Sequence, residues 1–72
     1  MVKIKTNCSK LSEIRIRKGM LGTDLAKKVG VTRQAIYGIE KGATNPSAGL
    51  AKKITEALDV PFDNIFSLVE GE

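Results

Sequence analysis

The 72-residue sequence contains no histidine and a single cysteine, Cys8. Without histidine no Ser-His or Cys-His catalytic pair can be assembled, and one cysteine supplies neither an internal disulfide nor a CxxC zinc pair. No apolar run is long enough to span a bilayer and no signal-peptide pattern is present, so the expectation is a cytoplasmic chain with no membrane contact. Glu13, Asp24 and Glu40 form no paired-carboxylate pattern, and no glycine loop of the phosphate-cradling kind occurs. Repeats and low-complexity segments are lacking too. These absences argue against an enzyme, and no metal, cofactor or small-molecule ligand is expected.

What remains is one small domain, expected to occupy residues 1–72. Its core must be thin, because a domain of about 60 residues buries only about 60% of its unfolded surface. Dimerisation or a terminal extension would add stability. Charge is distributed unevenly. Up to Lys53 there are twelve basic and three acidic residues, net +9; from Ile54 onward there are five acidic and no basic ones, net −5. A basic section of this weight suits a polyanion partner, and a solvated face is the alternative reading.

The most ordered pattern lies in the basic section, from Gly22 to Lys41. Leu25, Ala26 and Val29 recur at helical spacing, and Gly30 supplies a left-handed stop. Thr32 then caps a second helix, with Val31 and Ile36 as a hydrophobic staple. Ile36 and Ile39 give that helix its apolar face, while Arg33, Gln34, Tyr37 and Gly38 share the opposite one. Two short helices joined by a tight turn are predicted.

Around this corner the chain reads simply. Val2 to Lys5 alternate apolar and basic, as a short strand or a frayed terminus would. Asn7 or Ser9 can cap a first helix to about Lys18, with Leu11 and Ile14 inward and Gly19 ending it. Ile16 points well away from those two and is expected to pack beneath the terminal strand. After the polar loop Ala43 to Pro46, Ser47 caps a fourth helix to about Leu58, with Leu50, Ile54, Ala57 and Leu58 inward. Pro61 suits the start of a brief fifth helix over residues 62–66. Residues 66–70 alternate again, and a two-stranded ribbon with residues 2–5 would need the helices beneath it, being marginal alone.

Ala26, Gly30, Ile36 and Ile39, lying four, eight, fourteen and seventeen residues after Gly22, make a specific set. With LSEIR at Leu11 to Arg15, IEKG at Ile39 to Gly42, NPS at Asn45 to Ser47 and ALDVPFDNIF at Ala57 to Phe66, the chain resembles the phage Cro and lambda-repressor-like (Xre-type) helix-turn-helix family. The resemblance implies an all-α, five-helix DNA-binding fold, to which the terminal ribbon would be an addition. It implies an ion pair between Arg15 and Glu40. It also implies a transcriptional regulator, most like a small repressor, bound as a homodimer to near-palindromic duplex DNA with reading helices about 34 Å apart. An antitoxin-type module that uses the same fold to hold a protein partner is the alternative. The chain departs from the family at Leu21 and Gly22, where a Thr or Ser cap and a backbone-contacting Gln are usual.

On this reading the second helix of the corner enters the major groove. Arg33 can bond bidentately to guanine and Gln34 to adenine, with Thr32, Tyr37 and Gly38 completing the base-reading face. Gly38 either admits close backbone approach to DNA or reflects loose packing. Lys41, Thr44 and Asn45 would hold phosphates, with Lys28 and Thr23 in support. The helix end at Gly22 and Thr23 can present N–H groups to a phosphate. Phe62, Ile65, Phe66 and Leu68, with Val69, serve as dimer surface or as core.

Overall fold

In the computed structural model, which describes residues 2–70, four α-helices are flanked by two terminal strands. In chain order these are β1 (Val2–Thr6), α1 (Cys8–Arg17), α2 (Gly22–Val29), α3 (Arg33–Glu40), α4 (Ala48–Leu58), a single 3₁₀ turn (Phe62–Asn64) and β2 (Phe66–Glu70).

Each helix begins where a side chain or backbone group satisfies its first amides. Asn7 Oδ1 accepts from the Lys10 N–H at 3.1 Å, Thr32 Oγ1 from Ala35 at 3.2 Å, and Ser47 Oγ from Leu50 at 3.2 Å. Leucine cannot do this for α2. Instead the Asp24 carboxylate reaches back to the Leu21 N–H at 2.8 Å, the acidic half of a capping box. Gly30, with φ of 77°, closes α2 in the left-handed region and lets the Val31 N–H reach the Ala26 carbonyl at 3.0 Å. Asp59 ends α4 in the same conformation with φ of 56°, one that a short polar side chain tolerates.

The helices meet around one apolar core. Leu11 and Ile14 enter it from α1, Leu25, Ala26 and Val29 from α2, Ile36 and Ile39 from α3, and Ala51, Ile54 and Leu58 from α4. Thr55 is buried as well, its hydroxyl donating to the carbonyls of Ala51 and Lys52. Leu50 and Ala57, expected inward, are half-buried against this core.

The expectation of an all-α, five-helix chain is corrected. Residues 62–66 make only a 3₁₀ turn, held by Asn64 N–H to Pro61 O at 3.0 Å and Ile65 N–H to Phe62 O at 3.2 Å. A longer helix is pre-empted by the strand that follows. The Ile65 carbonyl accepts from Asn7 N–H at 2.7 Å, and Phe66 already pairs with Thr6. The two strands run antiparallel from Thr6 opposite Phe66 to Val2 opposite Glu70. Phe66 is buried and Ile4 half-buried, so one face of the ribbon lies on the helices at this end.

Burial corrects one further expectation and decides another. Ile16 is 64% exposed and does not pack beneath β1. Five residues on from Leu11 it lies well round the helix from the α1 core stripe, and Ile4 meets the core instead. Of the two roles offered for Ile65 and Phe66, dimer surface or core, burial excludes the first: each is only 1% exposed and belongs to the core, with the Phe66 and Phe62 ring centroids 5.3 Å apart.

Candidate nucleic-acid interface

The face of α3 opposite Ile36 and Ile39 is open to solvent. Thr32, Arg33, Gln34 and Tyr37 are exposed there, at the cap and the first two turns. The Thr32 hydroxyl oxygen already accepts from Ala35 N–H, which leaves its O–H free to donate outward. Next to this face runs an open cleft of about 690 Å³, lined by Leu21, Gly22 and Thr23 from the start of α2 and by Arg33, Gln34 and Tyr37 from α3. The structure therefore brings Thr23 to the side chains proposed to read bases.

The start of α2 is suited to an anion. The N–H groups of Gly22 and Thr23 have no acceptor among the described residues, and the helix dipole is positive at this end. A Cβ at Gly22 would meet nothing within 4 Å, so the space beside this residue is open. Here lies the local answer to the missing family side chains at Leu21 and Gly22: Asp24 does the capping, and bare backbone faces the cleft.

Beyond α3, the Lys41 ammonium sits 4.9 Å from the Tyr37 ring centroid, a cation–π contact that holds the charge beside the reading face. Thr44 and Asn45 are exposed in the following loop. Lys28 is placed apart. It lines a separate groove between the end of α2 and α4, with Lys27, Lys53 and Glu56.

Gly38 acquires a structural reason that the sequence did not supply. Its carbonyl accepts from Ala43 N–H at 2.9 Å and from Thr44 N–H at 3.3 Å, folding the loop back onto α3. A Cβ at this position would lie 3.1 Å from Thr44 Oγ1. In Gly38→Ala, a helix-propensity gain of about 1 kcal/mol is set against that contact. Urea unfolding should therefore show Gly38→Ala more stabilising in a Thr44→Ala background than alone. Equal effects in both would mean that Thr44 does not press on this site.

Beneath the cleft lies the ion pair, and Arg15 and Glu40 both line its inner wall. Arg15 Nε and Nη2 donate to Glu40 at 2.8 and 3.0 Å, and Nη1 donates to the Met20 carbonyl at 2.7 Å. Ser12 Oγ adds a bond to Glu40 at 2.8 Å. Ser12 was not singled out in the sequence. Its position one turn before Arg15 on α1 was the available signal. This network fixes the C-terminal end of α3 to α1 and to the loop before α2.

Among the described residues no group of three or more His, Cys, Asp or Glu could hold a metal, and no helix is long and apolar enough to cross a membrane.

Comparison with known proteins places these features in company. The family model for helix-turn-helix domains matches residues 11–65. An uncharacterised HTH-type transcriptional regulator of Archaeoglobus fulgidus is 41% identical over 64 residues, covering 89% of this chain and 91% of that protein. The uncharacterised HTH-type transcriptional regulator YgzD of Bacillus subtilis is 42% identical over 62 residues, covering 86% and 94%. Among solved structures, the restriction-modification controller protein C.AhdI from Aeromonas hydrophila superposes with a TM-score of 0.76 at 32% identity, covering 79% of this chain and 86% of that one.

Proposed function

This chain belongs to the helix-turn-helix family of DNA-binding transcriptional regulators, and on that premise we propose that it is a cytoplasmic repressor that binds a near-palindromic operator as a homodimer. The observation that carries the reading is the shared cleft, where exposed Arg33, Gln34 and Tyr37 stand beside the α2 amides that lack an acceptor among the described residues. A surface so built can grip a phosphate at one wall and present a guanidinium and a carboxamide to base edges at the other.

In this reading α3 lies in the major groove. Arg33 takes guanine O6 and N7, Gln34 takes adenine N6 and N7, and Tyr37 and Thr32 flank them. The amides of Gly22 and Thr23, together with Lys41, Thr44 and Asn45, hold backbone phosphates and so fix the register in which the bases are read. Lys28, on its separate groove, has the weaker claim to a phosphate. Gly38 acts here through the loop that it lets close rather than by touching a base. Occupancy of the operator by a protein of this size would block access to the DNA beneath it, which is the simplest route to repression.

Selection of bound sites from random duplex DNA should return a symmetric sequence with half-sites about 10–10.5 base pairs apart, centre to centre. Arg33→Ala should then cost about 1–3 kcal/mol and relax preference at one position in each half-site. Lys41→Ala should weaken all sequences alike and reduce the salt slope by about one. Unchanged affinity and preference in Arg33→Ala would show that the reading face has been misplaced.

A further inference from the structure

Most of the apolar surface is accounted for by the core, but the outer end of the ribbon is not. Leu68 is 64% exposed, Val2 is exposed, and Val69 is exposed on the opposite face of β2. The register puts Val2, Ile4 and Leu68 on one face of the ribbon. They line a groove of about 440 Å³ with Pro46 and Ala48, next to Asn45 at the end of the proposed phosphate loop.

A two-stranded ribbon has two open edges, and these differ in charge. On β1, Lys3 and Lys5 alternate with Val2 and Ile4; lysine on an edge strand discourages further pairing. On β2 the stretch Phe66 to Val69 carries no charge. Among the described residues, no backbone hydrogen bond joins Ser67, Leu68 or Val69 to any segment except β1.

We propose that a second copy of this chain docks along the open edge of β2, with Leu68 on the twofold axis, so that two ribbons join into a four-stranded antiparallel sheet. The inference rests on the homodimer reading above and names its surface. Centred on Leu68, the pairing sets Leu68 against its own counterpart and Ser67 against Val69, with no like charges opposed. Centred on Ile4, the corresponding β1 pairing would set Lys3 directly against Lys5 of the other copy, an unfavourable arrangement. The β2 pairing also brings the two Val2, Ile4 and Leu68 faces to one side of the joined sheet, with Glu70, opposite Val2, at the end of each. That face borders Asn45 and Pro46 of the α3–α4 loop in each copy.

The test uses the full chain, with sedimentation velocity for oligomeric state and a palindromic duplex against a half-site duplex for affinity. Wild type should sediment as a dimer. Leu68→Lys should sediment as a folded monomer, bind the half-site as before, and lose about 10²–10⁴-fold on the palindrome. Opposed residues in antiparallel strands have Cβ atoms about 4.5–5.5 Å apart, within reach of a disulfide after slight adjustment. In a Cys8→Ser background, mild oxidation should therefore link Leu68→Cys into a covalent dimer that binds the palindrome, whereas Ile4→Cys, self-opposed only in the β1 pairing, should not link. A dimer that survives Leu68→Lys, or cross-linking at position 4 in place of 68, would overturn this surface and leave the homodimer standing. Wild type that stays monomeric both free and on the palindrome would overturn the homodimer reading and this surface with it.

Discussion

Replacing Glu40 by alanine is expected to lower the unfolding free energy by about 3–5 kcal/mol, the cost of stranding one partner of a buried ion pair. The Arg15 and Glu40 side chains are only 16% and 10% exposed. Glu40 accepts three hydrogen bonds, two from Arg15 and one from Ser12. Without it the guanidinium keeps the Met20 carbonyl as its only acceptor among the described residues, on the inner wall of the cleft. A chain of this size has about 4–11 kcal/mol in all, at roughly 0.05–0.15 kcal/mol per residue, so the variant would sit close to the unfolding threshold. Arg17 and Glu13 offer the internal comparison. They pair at 3.2 Å with 75% and 50% exposure, and Glu13→Ala should change stability by no more than about 0.5 kcal/mol. Urea unfolding of the two variants measures the difference directly. The double replacement Arg15→Met, Glu40→Leu should recover most of the loss, because it removes the stranded charge along with the pair. Equal small losses in Glu40→Ala and Glu13→Ala would mean that solvent screens the inner pair as fully as the outer one.

The parts of the molecule that the sequence disclosed are those governed by local rules. The corner from Gly22 to Lys41 was legible because helix period, a left-handed glycine and a threonine cap all act within a few residues of one another. Ser47 announced α4 for the same reason. The Arg15–Glu40 pair joins residues 25 apart, and no local pattern points from one to the other; it came with the family resemblance. Ser12 escaped notice because a serine on a helix is unremarkable until its partner is known. The expected fifth helix was lost to a competitor outside its own segment, since the hydrogen bond from Asn7 to Ile65 and the ladder with β1 draw these residues into the ribbon. The same contest explains Ile65 and Phe66. Apolar residues near a terminus serve equally well as core or as interface, and only the return of β1 against β2 decides which. For Gly38, too, the decisive neighbour is a loop residue, Thr44, whose approach no helical periodicity encodes. Where it went unread, the missing information was a contact made after a turn in the chain.

Phe66→Ala is expected to destabilise the fold by about 3–5 kcal/mol, comparable to the loss of Glu40 but by a different mechanism. Phe66 is 1% exposed and stacks against Phe62 at a tilt of 38°. It is also the first residue of β2, directly opposite Thr6. Truncation leaves a cavity where the ribbon is anchored to the helices, and the exposed end of the ribbon has little else to hold it. The thermal midpoint should fall by well over 10 °C, at about 4–8 °C per kcal/mol for a domain of this length. Leu68→Ala, two residues along the same face, should change the stability of the monomer by less than about 0.5 kcal/mol, because its side chain is 64% exposed. The pair of variants separates two uses of one strand. Phe66 secures β2 to its own chain, while Leu68 stands in solvent and, on the proposal above, is free to meet a second copy. At a protein concentration low enough to keep both variants monomeric, equal shifts in thermal midpoint would mean that the ribbon folds onto the helices along its whole length, and the division drawn here between its inner and outer ends would fail.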